Sequence, residues 1–109
     1  MLGGAPVAGL DSGTSFWYYN AVNRKHRQTL SALFARPDKN DIRWDDFISL
    51  LVELGAEISE TGGSMVGLRL NGRYAVFHRP HPGNLIYPSM LKRIRRFFDE
   101  CGVRENQDA

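Results

Sequence analysis

The sequence predicts an α+β sandwich in the order α-β-β-β-α: a three-stranded antiparallel sheet carrying two helices on one face, preceded by an extra N-terminal helix. Three observations predict it. Asn71-Gly72 stands between two alternating apolar runs, and this dipeptide supplies the two positive-φ positions that a type I′ hairpin turn requires. Apolar residues recur at helical spacing on both sides of that hairpin, at Phe47, Leu50, Leu51 and Leu54 and again from Met90 to Cys101. Each of these runs ends at a glycine, Gly55 or Gly102, placed for a left-handed C-cap.

Taken in order, residues 1–22 form a leader and residues 23–105 a single domain, with a helix over about 23–36 and a core over about 42–103. Met1 to Ser15 are mostly small or polar residues that cannot order themselves, a mobile leader or a misplaced start. Phe16-Trp17-Tyr18-Tyr19 is costly to expose and is expected to dock on the domain or on a partner. From Asn23 a basic turn, Arg24-Lys25-His26-Arg27, opens a helix with Leu30, Leu33 and Phe34 on one stripe, and Pro37 ends it.

Ile42-Arg43-Trp44 is a short extended lead-in, and Asp45-Asp46 then place carboxylates where the free N–H groups of the next helix favour them. Ala56 to Glu60 alternates as a strand, and Thr61-Gly62-Gly63-Ser64 turns it into the hairpin. Pro80, Pro82 and Gly83-Asn84 stiffen the following loop, and Pro88 suits the first turn of the last helix. In that helix Met90, Leu91, Ile94, Phe97, Phe98 and Cys101 face inward, leaving Lys92, Arg93, Arg95 and Arg96 for the outer side. The tail from Arg104 is expected to fray.

The turn also sets the register. With Leu70 opposite Arg73, the pairs run Arg69 with Tyr74, Leu68 with Ala75, Gly67 with Val76, Val66 with Phe77 and Met65 with His78. Val66, Leu68, Leu70, Ala75 and Phe77 then face the core, while Met65, Arg69, Tyr74, Val76 and His78 share the other side. A cation, a phenol and an imidazole on one open face form a working surface.

Composition narrows the function classes. At 109 residues the chain is too short for a TIM-barrel enzyme, and its net charge of +2 makes the placement of cations matter more than their number. The single cysteine, Cys101, excludes an internal disulfide, no Cys/His spacing suits zinc, and no cofactor is called for. No apolar run approaches the roughly 20 residues of a membrane span, so the chain is expected to be cytosolic.

An open sheet face flanked by basic loops and a basic helix fits an RNA binder that contacts phosphates and 2′-hydroxyls, with Arg69, Tyr74, Arg79, Lys92, Arg93 and Arg96 as candidates. His78 and His81 add chemistry. Cleaving RNA without a metal takes a base for the 2′-hydroxyl and an acid for the leaving 5′-oxygen, and imidazole serves either role near neutral pH.

Several stretches carry a resemblance to a known family: Lys25-His26-Arg27 with Thr29-Leu30 and Leu33-Phe34-Ala35, Ile42-Arg43-Trp44, Leu54-Gly55-Ala56, Gly63-Ser64, Asn71-Gly72 and Ala75 through Pro82. In these the chain resembles the HicA (YcfA-like) toxins of type II toxin–antitoxin modules. The resemblance implies a double-stranded-RNA-binding-like fold, endoribonuclease action on messenger RNA, and a HicB-like antitoxin that occludes the RNA site. One departure stands out. The family's catalytic histidine follows the Gly-Ser of the hairpin, and here that position is Met65, which cannot transfer protons. The predicted register puts His78 directly across from it, so an imidazole can occupy the same patch from the neighbouring strand. Two other readings stand beside the ribonuclease: a non-catalytic RNA-binding homologue, and a protein-interaction domain.

Overall fold

The computed structural model describes residues 23–104; the leader, its aromatic cluster Phe16 to Tyr19 and the last five residues lie outside them. The elements are α1 (Arg24–Phe34), α2 (Trp44–Leu54), β1 (Glu57–Gly62), β2 (Met65–Leu70), β3 (Arg73–His78) and α3 (Pro88–Cys101). The strands form one antiparallel sheet in the order β1-β2-β3. This is the predicted α-β-β-β-α arrangement with its extra N-terminal helix.

Every predicted pair of the hairpin is present, from Leu70↔Arg73 to Met65↔His78. The cause is the turn: Asn71 at φ 53° and Gly72 at φ 80° are both left-handed, which a two-residue I′ loop demands and which leaves no room for slippage. The Asn71 amide also donates to the Cys101 carbonyl at 2.6 Å, and the Cys101 thiol donates to the Leu70 carbonyl at 3.3 Å. The hairpin tip is thereby tied to the end of α3.

Alternation sends Val66, Leu68, Leu70 and Phe77 into a core with Phe47, Leu50 and Leu51 of α2 and Leu91, Ile94 and Phe98 of α3. Phe47 meets Trp44, Phe77 and Phe98 at centroid distances of 5.4, 6.1 and 6.0 Å, so one ring joins both helices to the sheet. Leu30 and Leu33 bring α1 into the same core. Helices α2 and α3 end as expected: in each, the glycine N–H and the N–H after it bond back to the last turn, with Gly55 at φ 95° and Gly102 at φ 82°.

Two details differ from expectation. Trp44 opens α2 instead of preceding it; its N–H bonds the Asn84 carbonyl at 2.8 Å and its indole is buried, because the loop after β3 pairs alongside through the Arg43↔Leu85 bridge. Arg95 is not a surface cation: it is 9% exposed, with Nε donating to the Leu33 carbonyl at 2.7 Å and Nη2 to the Ala35 carbonyl at 3.3 Å and to Asp38 at 3.0 Å. Helix α1 ends at Ala35 without a glycine, so its last carbonyls need outside donors, and Arg95 supplies them.

Candidate nucleic-acid interface

The sheet face opposite the helices carries Glu57 and Ser59 of β1, Met65, Gly67 and Arg69 of β2, and Tyr74, Val76 and His78 of β3. Among the described residues nothing packs over it: Tyr74 is 49% and Met65 38% exposed, and Arg69 and His78 are exposed too. This is the open face the alternation predicts.

At one end His78 lies across from Met65, and its Nδ1 is 3.4 Å from the Ser64 Oγ, the long end of hydrogen-bond range. The Arg79 N–H donates to the Ser64 carbonyl at 2.8 Å, which extends the ladder past His78 and holds that residue at the strand end. At the other end the Arg69 guanidinium lies 5.1 Å from the Tyr74 ring centroid and 3.7 Å from the Glu57 carboxylate.

The structure does not bring all the candidate residues to this face. Arg79 follows His78 by one residue, so alternation turns it away, and it pairs at 2.9 Å with Glu60, the register partner of core-facing Val66. Arg93 donates to the Val76 carbonyl at 2.8 Å and lies 4.6 Å from the Phe77 centroid, which satisfies one carbonyl of the edge strand β3. Lys92 and Arg96 stand exposed on α3. His81 is exposed on the loop after β3 and forms no hydrogen bond among the described residues. No group of three or more His, Cys, Asp or Glu side chains among the described residues is arranged to hold a metal ion.

Sequence reasoning did not single out a third histidine. His26 joins α1 to α2: its Nδ1 is hydrogen-bonded to the Glu53 carboxylate, while Asn23 caps α1 by accepting from the His26 N–H at 2.9 Å. The hydrogen bond from His26 holds the Glu53 carboxyl below its ordinary value of 4.5. The helical spacing placed His26 in a basic first turn, and only the neighbouring helix reveals its partner.

A three-stranded antiparallel sheet with helices on one face and the other left open defines the class of small double-stranded-RNA-binding-like α+β domains. The family model described as HicA toxin of bacterial toxin-antitoxin matches residues 44–102, more than half of the chain, and the chain belongs to that family. No curated protein and no solved structure matches it. Membership makes an antitoxin its kind of partner. The matched segment runs from the start of α2 to the C-cap of α3 and leaves α1 outside. Among the described residues no helix is long and apolar enough to cross a membrane.

Proposed function

We propose that the protein is an RNA-binding endoribonuclease of the HicA type, an mRNA interferase of the cytoplasm that needs no metal and is held inactive by a HicB-like antitoxin covering its open sheet face. The observation that carries this reading is the Met65↔His78 pair beside Ser64. Directly opposed side chains on a sheet face stand about 4.5–5.5 Å apart at Cβ, so an imidazole on β3 serves the same patch as one on β2.

In the proposed reaction a 2′-hydroxyl loses its proton to a base and its oxygen bonds to the adjacent phosphorus. The bond from phosphorus to the 5′-oxygen breaks, and that oxygen takes a proton from an acid. His78 transfers one of these protons, and the Ser64 hydroxyl orients its ring through Nδ1. His81, on the exposed loop, is the candidate for the other proton. Arg69 holds phosphate on the open face, Arg79 and Arg93, engaged with Glu60 and the Val76 carbonyl, border the site, and Lys92 and Arg96, exposed on α3 behind the sheet, meet phosphates only where the RNA runs past the sheet edge.

The test is incubation of the purified, partner-free protein with a long RNA in EDTA, beside His78→Ala and His81→Ala variants. Cleavage by the parent and its loss in the His78 variant are the expected result. Salt-sensitive binding with no product in any variant would leave a non-catalytic RNA-binding homologue. No binding at all, with a tight protein complex instead, would leave an interaction domain.

A further inference from the structure

The geometry points to Tyr74 as a stacking platform for an unpaired base, which makes single-stranded RNA, not a duplex, the substrate of the open face. The inference rests on the RNA reading above. Its starting point is Gly67, which faces outward at the middle of β2 and yet is buried.

A Cβ placed on Gly67 would lie 2.4 Å from the Tyr74 hydroxyl oxygen, 3.0 Å from its Cζ and 2.9 Å from the Ser59 Oγ. The far end of the tyrosine therefore occupies the space that a side chain at position 67 would fill. Gly67 does not have a positive φ, so its backbone conformation does not call for glycine. The space does. The phenol end reaches diagonally across to the notch, while the residue as a whole stays 49% exposed.

Arg69, the register partner of Tyr74, lays its planar guanidinium over the ring at 5.1 Å from the centroid and is steadied there by Glu57 at 3.7 Å. A flat phenol with a flat cation over it is a layered surface on which a base of any identity stacks, either on the outer guanidinium plane or on the ring once the guanidinium swings to a phosphate. In a duplex both faces of each base are already stacked, and the helix offers mainly phosphates and 2′-hydroxyls, so an aromatic plane set into a sheet serves only an unstacked base. His78 lies four positions beyond Tyr74 on the same strand, about 13 Å, so the stacked base belongs to a neighbouring nucleotide and not to the one whose phosphate meets the imidazole. Tyr74 in this role is a positioning residue.

Fluorescence anisotropy at low salt, with a labelled single-stranded oligoadenylate and with a labelled blunt RNA duplex, tests the proposal. Tyr74→Leu is expected to weaken single-strand binding by about 5- to 100-fold and to leave duplex binding unchanged. Tyr74→Phe is expected to retain both, and Gly67→Ala to weaken single-strand binding in the same direction as Tyr74→Leu, because its methyl group displaces the far end of the ring. A second measurement leaves the protein untouched. Abasic ribosides introduced one position at a time should reproduce the loss at a single position. An equal loss for both RNAs, no loss with Tyr74→Leu, or indifference to every abasic site would overturn the platform alone. A parent protein that binds neither RNA would overturn the RNA reading with it.

Discussion

His78 stands directly across the β2–β3 ladder from Met65, with its Nδ1 3.4 Å from the Ser64 Oγ that precedes Met65. The hairpin turn alone sets this pairing, because Asn71 and Gly72 permit one register and every partner follows from it. The position at which the resemblance to HicA toxins places a histidine is thereby faced, on the adjacent strand, by His78, the only histidine of the sheet among the described residues.

The turn is itself testable. Asn71→Gly keeps the left-handed backbone and loses the amide bond to the Cys101 carbonyl, an expected cost of about 1 kcal/mol. Asn71→Ala also places an alanine at φ 53° and should cost about 1–2 kcal/mol more. Urea unfolding of the two variants checks the order; equal losses would mean that the backbone conformation contributes nothing.

Arg95→Ala removes the donors to the Leu33 and Ala35 carbonyls and the partner of Asp38, and is expected to destabilise by about 2–3 kcal/mol. For a domain of this size that lowers Tm by roughly 10 °C or more. Arg95→Lys should recover little, since one ammonium cannot spread over three acceptors as the guanidinium fork does. Thermal melts followed by circular dichroism give both numbers.

Burial pushes the Cys101 thiol up to about 11 from an ordinary 9.0. The folded value lies above the unfolded one, so the stabilisation is fully present below pH 9.0 and is lost as pH rises through about 11. The native protein should therefore resist alkylation by iodoacetamide at pH 8 and react once unfolded. Mass spectrometry of the two samples checks it; ready modification of the folded protein would contradict the burial.

Glu53 gives the opposite sign. Its folded pKa lies below 4.5, chiefly through the hydrogen bond from His26, so its contribution is present above the ordinary carboxylate range and disappears as pH falls through the lowered value. Glu53→Gln is expected to flatten the acid limb of the stability profile and to speed hydrogen exchange in α1. Urea midpoints across the acid range would contradict this if parent and variant stayed parallel.

The fold was legible because its signals were local. Asn71-Gly72 set the hairpin register, the stripe from Phe47 to Leu54 marked a core helix, and Gly55 and Gly102 marked two helix ends. What escaped depends on neighbours distant in sequence. Arg95 sits next to Ile94 on a basic helix, and its acceptors lie some sixty residues away. The one available signal was the end of α1 without a capping glycine, which announces carbonyls in need of donors. Strand alternation identified the open face, with Arg69, Tyr74 and His78 on it. Alternation past His78 also turns Arg79 off that face, but its pairing with Glu60, and the glycine notch that seats Tyr74, emerge only when side chains take their rotamers.

Cleavage of a long RNA by the partner-free protein in EDTA, compared with His78→Ala and with the double variant Met65→His/His78→Ala, tests the central claim most directly. The account predicts that His78→Ala loses about 10²- to 10⁴-fold in cleavage rate and that an imidazole returned at position 65 restores a substantial part of it. Undiminished cleavage by His78→Ala would contradict it.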